Sequence, residues 1–181
     1  MIGGLVIVGL SSHSLGVLAA GGDYLADAAA IAISILAIYI GKHTNGNEKA
    51  TTYAALINVV ILLGVTVFVM IEAIRRLSTQ APPIEAVSVV YISTVAALVM
   101  IVSAYVLGAD ADEEDLNMRS VILDTVADAA TAIGVAITGG IILTLNGFYW
   151  LDPAVALAVA IVIGYHTLKL LREVIAKLKL S

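Results

Sequence analysis

Gly21-Gly22-Asp23-Tyr24-Leu25-Ala26-Asp27-Ala28-Ala29 and Asp124-Thr125-Val126-Ala127-Asp128-Ala129-Ala130 decide the fold. Both contain the pattern D-x-x-A-D-A-A, and both lie deep inside apolar runs. The first is embedded in Leu15 to Ile40 and the second in Val121 to Leu145. A membrane-spanning helix needs roughly 20 apolar residues, which each of these runs supplies.

Further runs of the same kind are Ala50 to Ala73, Ala86 to Gly108 and Ala154 to Leu171. Ile2 to Leu10 is apolar but covers only about half the bilayer core on the helical rise, so it is expected to be the end of a truncated first span. The expectation is an all-α, polytopic membrane helix bundle of about six transmembrane helices, forming one domain over residues 1–181. Composition agrees: 61% of the residues are hydrophobic and 13% charged, against roughly half and about a quarter in soluble domains. A bilayer solvates such side chains and requires that backbone groups pair within the segment, which favours helices.

Several function classes fall away. With no cysteine, disulfides, thiolate ligands and cysteine nucleophiles are excluded. Net charge is −5, and the nine basic residues are scattered over helix ends, so there is no footprint for nucleic acid. The opening MIGGLVIVGL lacks a basic n-region and does not read as a signal peptide.

Connectors carry turn chemistry where the spans require it. Lys42 to Asn47 (KHTNGN) is a polar loop, Pro82-Pro83 starts a new segment, and Asn146-Gly147 ends the fifth helix. Asp152-Pro153 reads as an N-cap followed by proline at the first helical position. Lys42, Lys49, Arg119, Lys169, Arg172, Lys177 and Lys179 fall on one side of the membrane, and Arg75 and Arg76 on the other. By the positive-inside rule the former side is cytoplasmic, and both termini lie there. The acidic stretch Asp110 to Asp115 reads as a hydrated cytoplasmic loop, with a cation-gathering funnel as the minor alternative.

Residues at i and i+4 share a helix face, so each D-x-x-A-D helix presents a vertical pair of carboxylates. An ionised aspartate at the centre of a span costs about 2.5–3.5 kcal/mol on insertion scales. Asp23, Asp27, Asp124 and Asp128 must therefore face the bundle interior and be neutralised there. No lysine or arginine lies mid-span, which leaves protons or cations. Four carboxylate oxygens suit a divalent cation such as magnesium, calcium, manganese, iron or zinc, and four-coordination leans toward zinc. Carboxylates crowded in a low dielectric hold protons until an arriving dication displaces them.

The paired motif sits on the second helix of each half of the chain, and those halves run in opposite directions, as in an inverted repeat with a midplane site. Small residues flank both pairs, among them Ala19, Ala20, Gly21, Gly22 and Ala26 in the first and Ala127, Ala129 and Ala130 in the second. They allow the close approach that short aspartate side chains need.

Together with Ser14-Leu15-Gly16-Val17-Leu18-Ala19-Ala20, Ala54-Ala55-Leu56-Ile57-Asn58, Glu72-Ala73-Ile74 and Leu116-Asn117-Met118-Arg119, these motifs resemble the transmembrane region of the cation diffusion facilitator family. The likeness runs almost from end to end. It implies export of a divalent metal from the cytoplasm in exchange for protons, with Asp23, Asp27, Asp124 and Asp128 as the transport site. It also implies a homodimer in a lipid bilayer, here the plasma membrane of a prokaryote. Many zinc-transporting members have histidine at the position of Asp23, and an all-aspartate site resembles subgroups handling zinc, cadmium, iron or manganese. Most members carry a cytoplasmic C-terminal domain, whereas this sequence stops at Ser181, so the expectation is either a naturally short member or a partial sequence.

His13, His43 and His166 stand singly and are set aside as ligands. Asn58, Thr66, Ser93, Thr94 and Ser103 are expected to hydrogen-bond between helices. Tyr24 points to a different face from Asp23, and Tyr149 and Trp150 read as interfacial anchors. The expectation is a secondary antiporter and not an enzyme. A passive cation channel, an organic-cation carrier and a structural membrane subunit are the rivals.

Overall fold

The computed structural model describes residues 1–43, 48–109 and 116–180. The acidic stretch Asp110 to Asp115, the Thr44 to Asn47 part of the polar loop, and the side chains of Lys42, His43, Lys49, Arg119, Lys177 and Lys179 lie outside the described residues. The described residues form six α-helices and no strand. These are α1 (Ile2–Ser11), α2 (Leu15–His43), α3 (Glu48–Ser78), α4 (Ala86–Ala109), α5 (Leu116–Leu145) and α6 (Leu151–Leu180).

The stretches Ala55–Ser78, Ala86–Gly108, Val121–Leu145 and Leu151–Ala176 are long and apolar enough to cross a membrane, and Ile2–Ser11 is a shorter apolar helix. Large apolar side chains point outward along the helices, among them Ile7, Phe68, Tyr91 and Tyr105. In water such a surface would drive aggregation, whereas lipid solvates it.

Two apolar clusters hold the bundle. One joins Leu5 of α1, Val17 and Tyr24 of α2, Val89, Ala96 and Ala97 of α4, and Ala132, Val135 and Ile142 of α5. The other joins Leu15 and Ala19 of α2, Val69 and Ala73 of α3, and Ala156 and Ala160 of α6. Helix α2 belongs to both, so the segment bearing Asp23 and Asp27 is the shared wall of the two halves of the bundle.

Both clusters lie toward the end where α1 turns into α2, α3 connects to α4 and α5 connects to α6. At that end the α1–α2 corner is the common attachment point. His13 takes the left-handed conformation (φ 58°), which reverses the chain between α1 and α2. The Glu85 N–H, just before α4, donates to the Ser12 carbonyl at 3.1 Å, and an Arg76 guanidinium N–H from α3 donates to the His13 carbonyl. The Asp152 carboxylate of α6 accepts from the Ser14 hydroxyl, from the Leu15 N–H at 2.7 Å and from the Gly16 N–H at 3.2 Å. Ser14 Oγ in turn accepts from the Val17 N–H at 3.2 Å. The first turn of a helix leaves four N–H groups without intrahelical partners, and here three of them are satisfied by these two side chains.

Two sequence expectations change as a result. Helix α6 starts at Leu151, so Asp152 lies within its first turn and caps α2 instead of its own helix. Pro82 and Pro83 lie in the connector, and α4 begins beyond them at Ala86. Asn146 (φ 41°) and Gly147 (φ 144°) do end α5 in the left-handed region, as their sequence suggests.

On α4 and α5 the packing thins toward the opposite end. From Leu98 to Gly108 of α4 and from Val121 to Asp128 of α5 no side chain is buried. Over their whole lengths α4 packs chiefly on α5, and α3 on α6.

Candidate metal site

Helix α2 carries Asp23 and Asp27 on one face, and α5 carries Asp124 and Asp128. Their depths follow from the packing. A Cβ on Gly16 would lie 3.3 Å from the Val135 side chain, so these two positions are level. At about 1.5 Å per residue, Asp23 and Asp128 each lie roughly 10 Å further from the corner end, and Asp27 and Asp124 roughly 6 Å beyond them. The aspartates therefore form two layers across the α2–α5 contact, Asp23 with Asp128 and Asp27 with Asp124.

The Tyr24 hydroxyl donates to the Asp128 backbone carbonyl at 3.0 Å, tying α2 to α5 at the level of the outer pair. Asp23, Asp27 and Asp128 are half-buried and Asp124 is exposed. Asp128 lies within electrostatic reach of the other three, and Asp124 lies within reach of Asp23 and Asp27. The carboxylates border one region without closing on it. Among the described residues no three His, Cys, Asp or Glu side chains gather at metal-holding distance.

Glycine permits this arrangement beside Asp23. A Cβ on Gly22 would meet Val65 Cγ1 of α3 at 2.9 Å, and one on Gly21 would meet Leu5 Cβ of α1 at 3.1 Å. The small residues around the motif do let neighbouring helices approach. A void of about 10 Å³ is bordered by Asp23 of α2, Leu62, Val65 and Thr66 of α3, and Ile163 of α6.

Other polar residues take places that their sequence leaves open. Thr66 and Ser103 do not bridge helices, since their hydroxyls donate to the carbonyls of Leu62 and Val99 on their own helices. Asn58 Oδ1 and Ser93 Oγ are buried without a partner. Glu72 accepts from Arg75 at 2.6 and 2.7 Å and from Arg76 at 3.0 Å, so both arginines at the corner end are paired with an acid. His13 stands at the corner, and His166 makes an edge contact with Tyr165 at 5.6 Å between ring centroids. Tyr24 and Asp152 are the positioning residues that the sequence does not announce. An aromatic residue between two aspartates is the one available signal for Tyr24, and Asp152 resembles an ordinary cap.

This architecture defines a polytopic helical membrane protein with pairs of acidic residues at matched depth on two adjoining helices. The family is also defined: residues 1–178 match the model of the cation efflux transmembrane domain, and the chain belongs to that family. It is 31% identical over 179 residues to the zinc transporter ZitB of Pectobacterium atrosepticum, a match covering 96% of this chain and 55% of that protein. It is 30% identical over 179 residues to ZitB of Escherichia coli K12, covering 96% and 56%. A cadmium, cobalt and zinc/H(+)-K(+) antiporter of Bacillus velezensis is 30% identical over 184 residues, covering 93% and 58%. The chain thus spans somewhat more than half the length of these relatives, and the resemblance to cation diffusion facilitators is borne out.

Proposed function

We propose that this chain exports a divalent transition-metal cation from the cytoplasm in exchange for protons, with Asp23, Asp27, Asp124 and Asp128 as the transport site. Zinc is the foremost substrate, with manganese, iron and cadmium as alternatives. The observation that carries the reading is that two aspartate pairs lie at matched depth on the adjoining helices α2 and α5, which Tyr24 joins there. The names of the relatives, zinc transporters and a cadmium, cobalt and zinc antiporter, support the cargo and the exchange.

The mechanism follows from the packing. Both termini are cytoplasmic, so the corner end is the outer one, sealed by two apolar clusters and the hydrogen bonds on Ser12, His13 and Ser14. The loosely packed inner halves of α4 and α5 admit the dication to the carboxylates. Its binding draws the two pairs together and displaces protons into the cytoplasm. Rocking of the helix pairs then opens the outer end, where protons replace the metal. The chain works as a homodimer in the plasma membrane of a prokaryote.

The test is proton movement in proteoliposomes on addition of zinc, manganese, iron, cadmium or magnesium. Metal-selective proton counterflow that Asp128→Ala abolishes is the expected result. Metal flux without proton movement sinks the exchange, and unsaturable flux of any cation favours a passive channel.

A further inference from the structure

Asn58 of α3 is 8% exposed, and its carboxamide oxygen is buried without any hydrogen-bond partner. In a low-dielectric interior an unpaired carbonyl is costly, and native structures rarely keep one without a use. Among the described residues two other buried oxygens share this condition, on Ser12 and Ser93. Ser12 belongs to the α1–α2 corner. Ser93 lies one turn along α4 from Val89, which a Gly139 Cβ would touch, and so stands about level with Gly16, well outward of the aspartates. Asn58 lies on the inner side.

Its register on α3 brings it close to the depth of the carboxylates. Leu62, Val65 and Thr66 border the void beside Asp23. Helices α2 and α3 run antiparallel, so one turn inward from Asp23 is Asp27, and one turn inward from Leu62 on the same stripe is Asn58. Both steps cover about 6 Å. With Gly22 level with Val65, the orphan oxygen's residue stands about 3 Å inward of the inner aspartate layer, less than one helical turn away, on a helix that supplies no carboxylate to it.

We infer that the Asn58 carboxamide oxygen is a fifth, neutral oxygen donor to the transported dication, and that it tunes which metal the site prefers. This rests on the four-aspartate reading above. The four carboxylates already outweigh the charge of a dication, so a further ligand is best neutral, and a carboxamide oxygen is a hard donor of that kind. Zinc is satisfied with four ligands, whereas manganese favours more oxygens. Asn58 therefore favours manganese relative to zinc.

The experiment measures zinc and manganese binding to the purified full chain in nanodiscs, by competition with a fluorescent chelator, alongside its melting temperature. Asn58→Leu is expected to weaken manganese binding about tenfold and zinc binding less than about threefold, with no fall in melting temperature, because no hydrogen bond is lost. Asn58→Asp restores an oxygen and retains manganese binding. Asn58→Ala provides the same comparison if the leucine variant does not fold. Manganese binding unchanged in Asn58→Leu, or an equal loss for both metals together with a lower melting temperature, overturns the inference. If the wild type binds neither ion, the four-aspartate reading falls and this inference with it. If binding is lost in Asp128→Ala yet unaltered in Asn58→Leu, the inference alone falls.

Discussion

The hydroxyl of Tyr24 on α2 donates a 3.0 Å hydrogen bond to the backbone carbonyl of Asp128 on α5, joining the carriers of both aspartate pairs. The ring is 3% exposed and packs within the cluster shared by α1, α2, α4 and α5. Tyr24→Phe keeps that packing and removes only the bond. We expect a loss of about 1 kcal/mol in stability, read as a small fall in melting temperature. Metal-driven proton flux should fall by more than this alone implies, because Asp128 loses its register against α2.

Asp152 gives the largest predicted effect on folding. Its side chain is the partner of the Ser14 hydroxyl and of two N–H groups at the start of α2, and the residue is 1% exposed. Asp152→Ala strands these donors, at about 1–3 kcal/mol each where they stay dry. The variant should lose most of its folded yield. Ser14→Ala should cost only about 1 kcal/mol, and thermal unfolding in detergent ranks the two.

Replacing aspartates at the transport site should separate stability from activity. Asp27→Asn and Asp124→Asn remove like-charge repulsion between α2 and α5, so the metal-free protein should melt no lower than the wild type. Metal-driven proton flux should nevertheless vanish in both. A variant that transports at the wild-type rate would remove its aspartate from the site.

Metal affinity should rise with pH. Protons and the dication compete for the same carboxylates, so protons occupy the site at low pH and leave it as pH increases. If two protons leave for each metal, apparent affinity climbs about a hundredfold per pH unit over the range in which both are bound. Chelator competition at a series of pH values gives the slope, and a flat profile would contradict exchange.

Gly22 tests the spacing of α2 and α3. A Cβ there would lie 2.9 Å from Val65 Cγ1, so Gly22→Leu forces the helices apart beside Asp23. We expect destabilisation of about 1–3 kcal/mol together with weakened metal binding. Combining it with Val65→Ala should recover part of both.

The spans and the aspartate pairs are legible in the sequence because hydropathy and the i, i+4 period are local properties. Ala86 to Gly108 and Val121 to Leu145 coincide with the candidate spans in the structure. What escapes the sequence is long-range. Asp152 satisfies donors 136 to 138 positions away, and no local pattern separates that from capping its own helix. Thr66 and Ser103 have the composition of interhelical donors, but a carbonyl four residues back is always within reach and wins. Tyr24 does leave the face of Asp23, as its position requires, and the face it takes is the one that meets α5.

Asp152 also bears on where a metal can linger. It is a buried acid at the end of the bundle from which, on the proposed cycle, the ion departs. Oδ1 accepts from Ser14 and Gly16, and Oδ2 accepts from Leu15, so neither oxygen is left bare. An acid held in that way is a poor trap, and it does not slow the release of a departing cation.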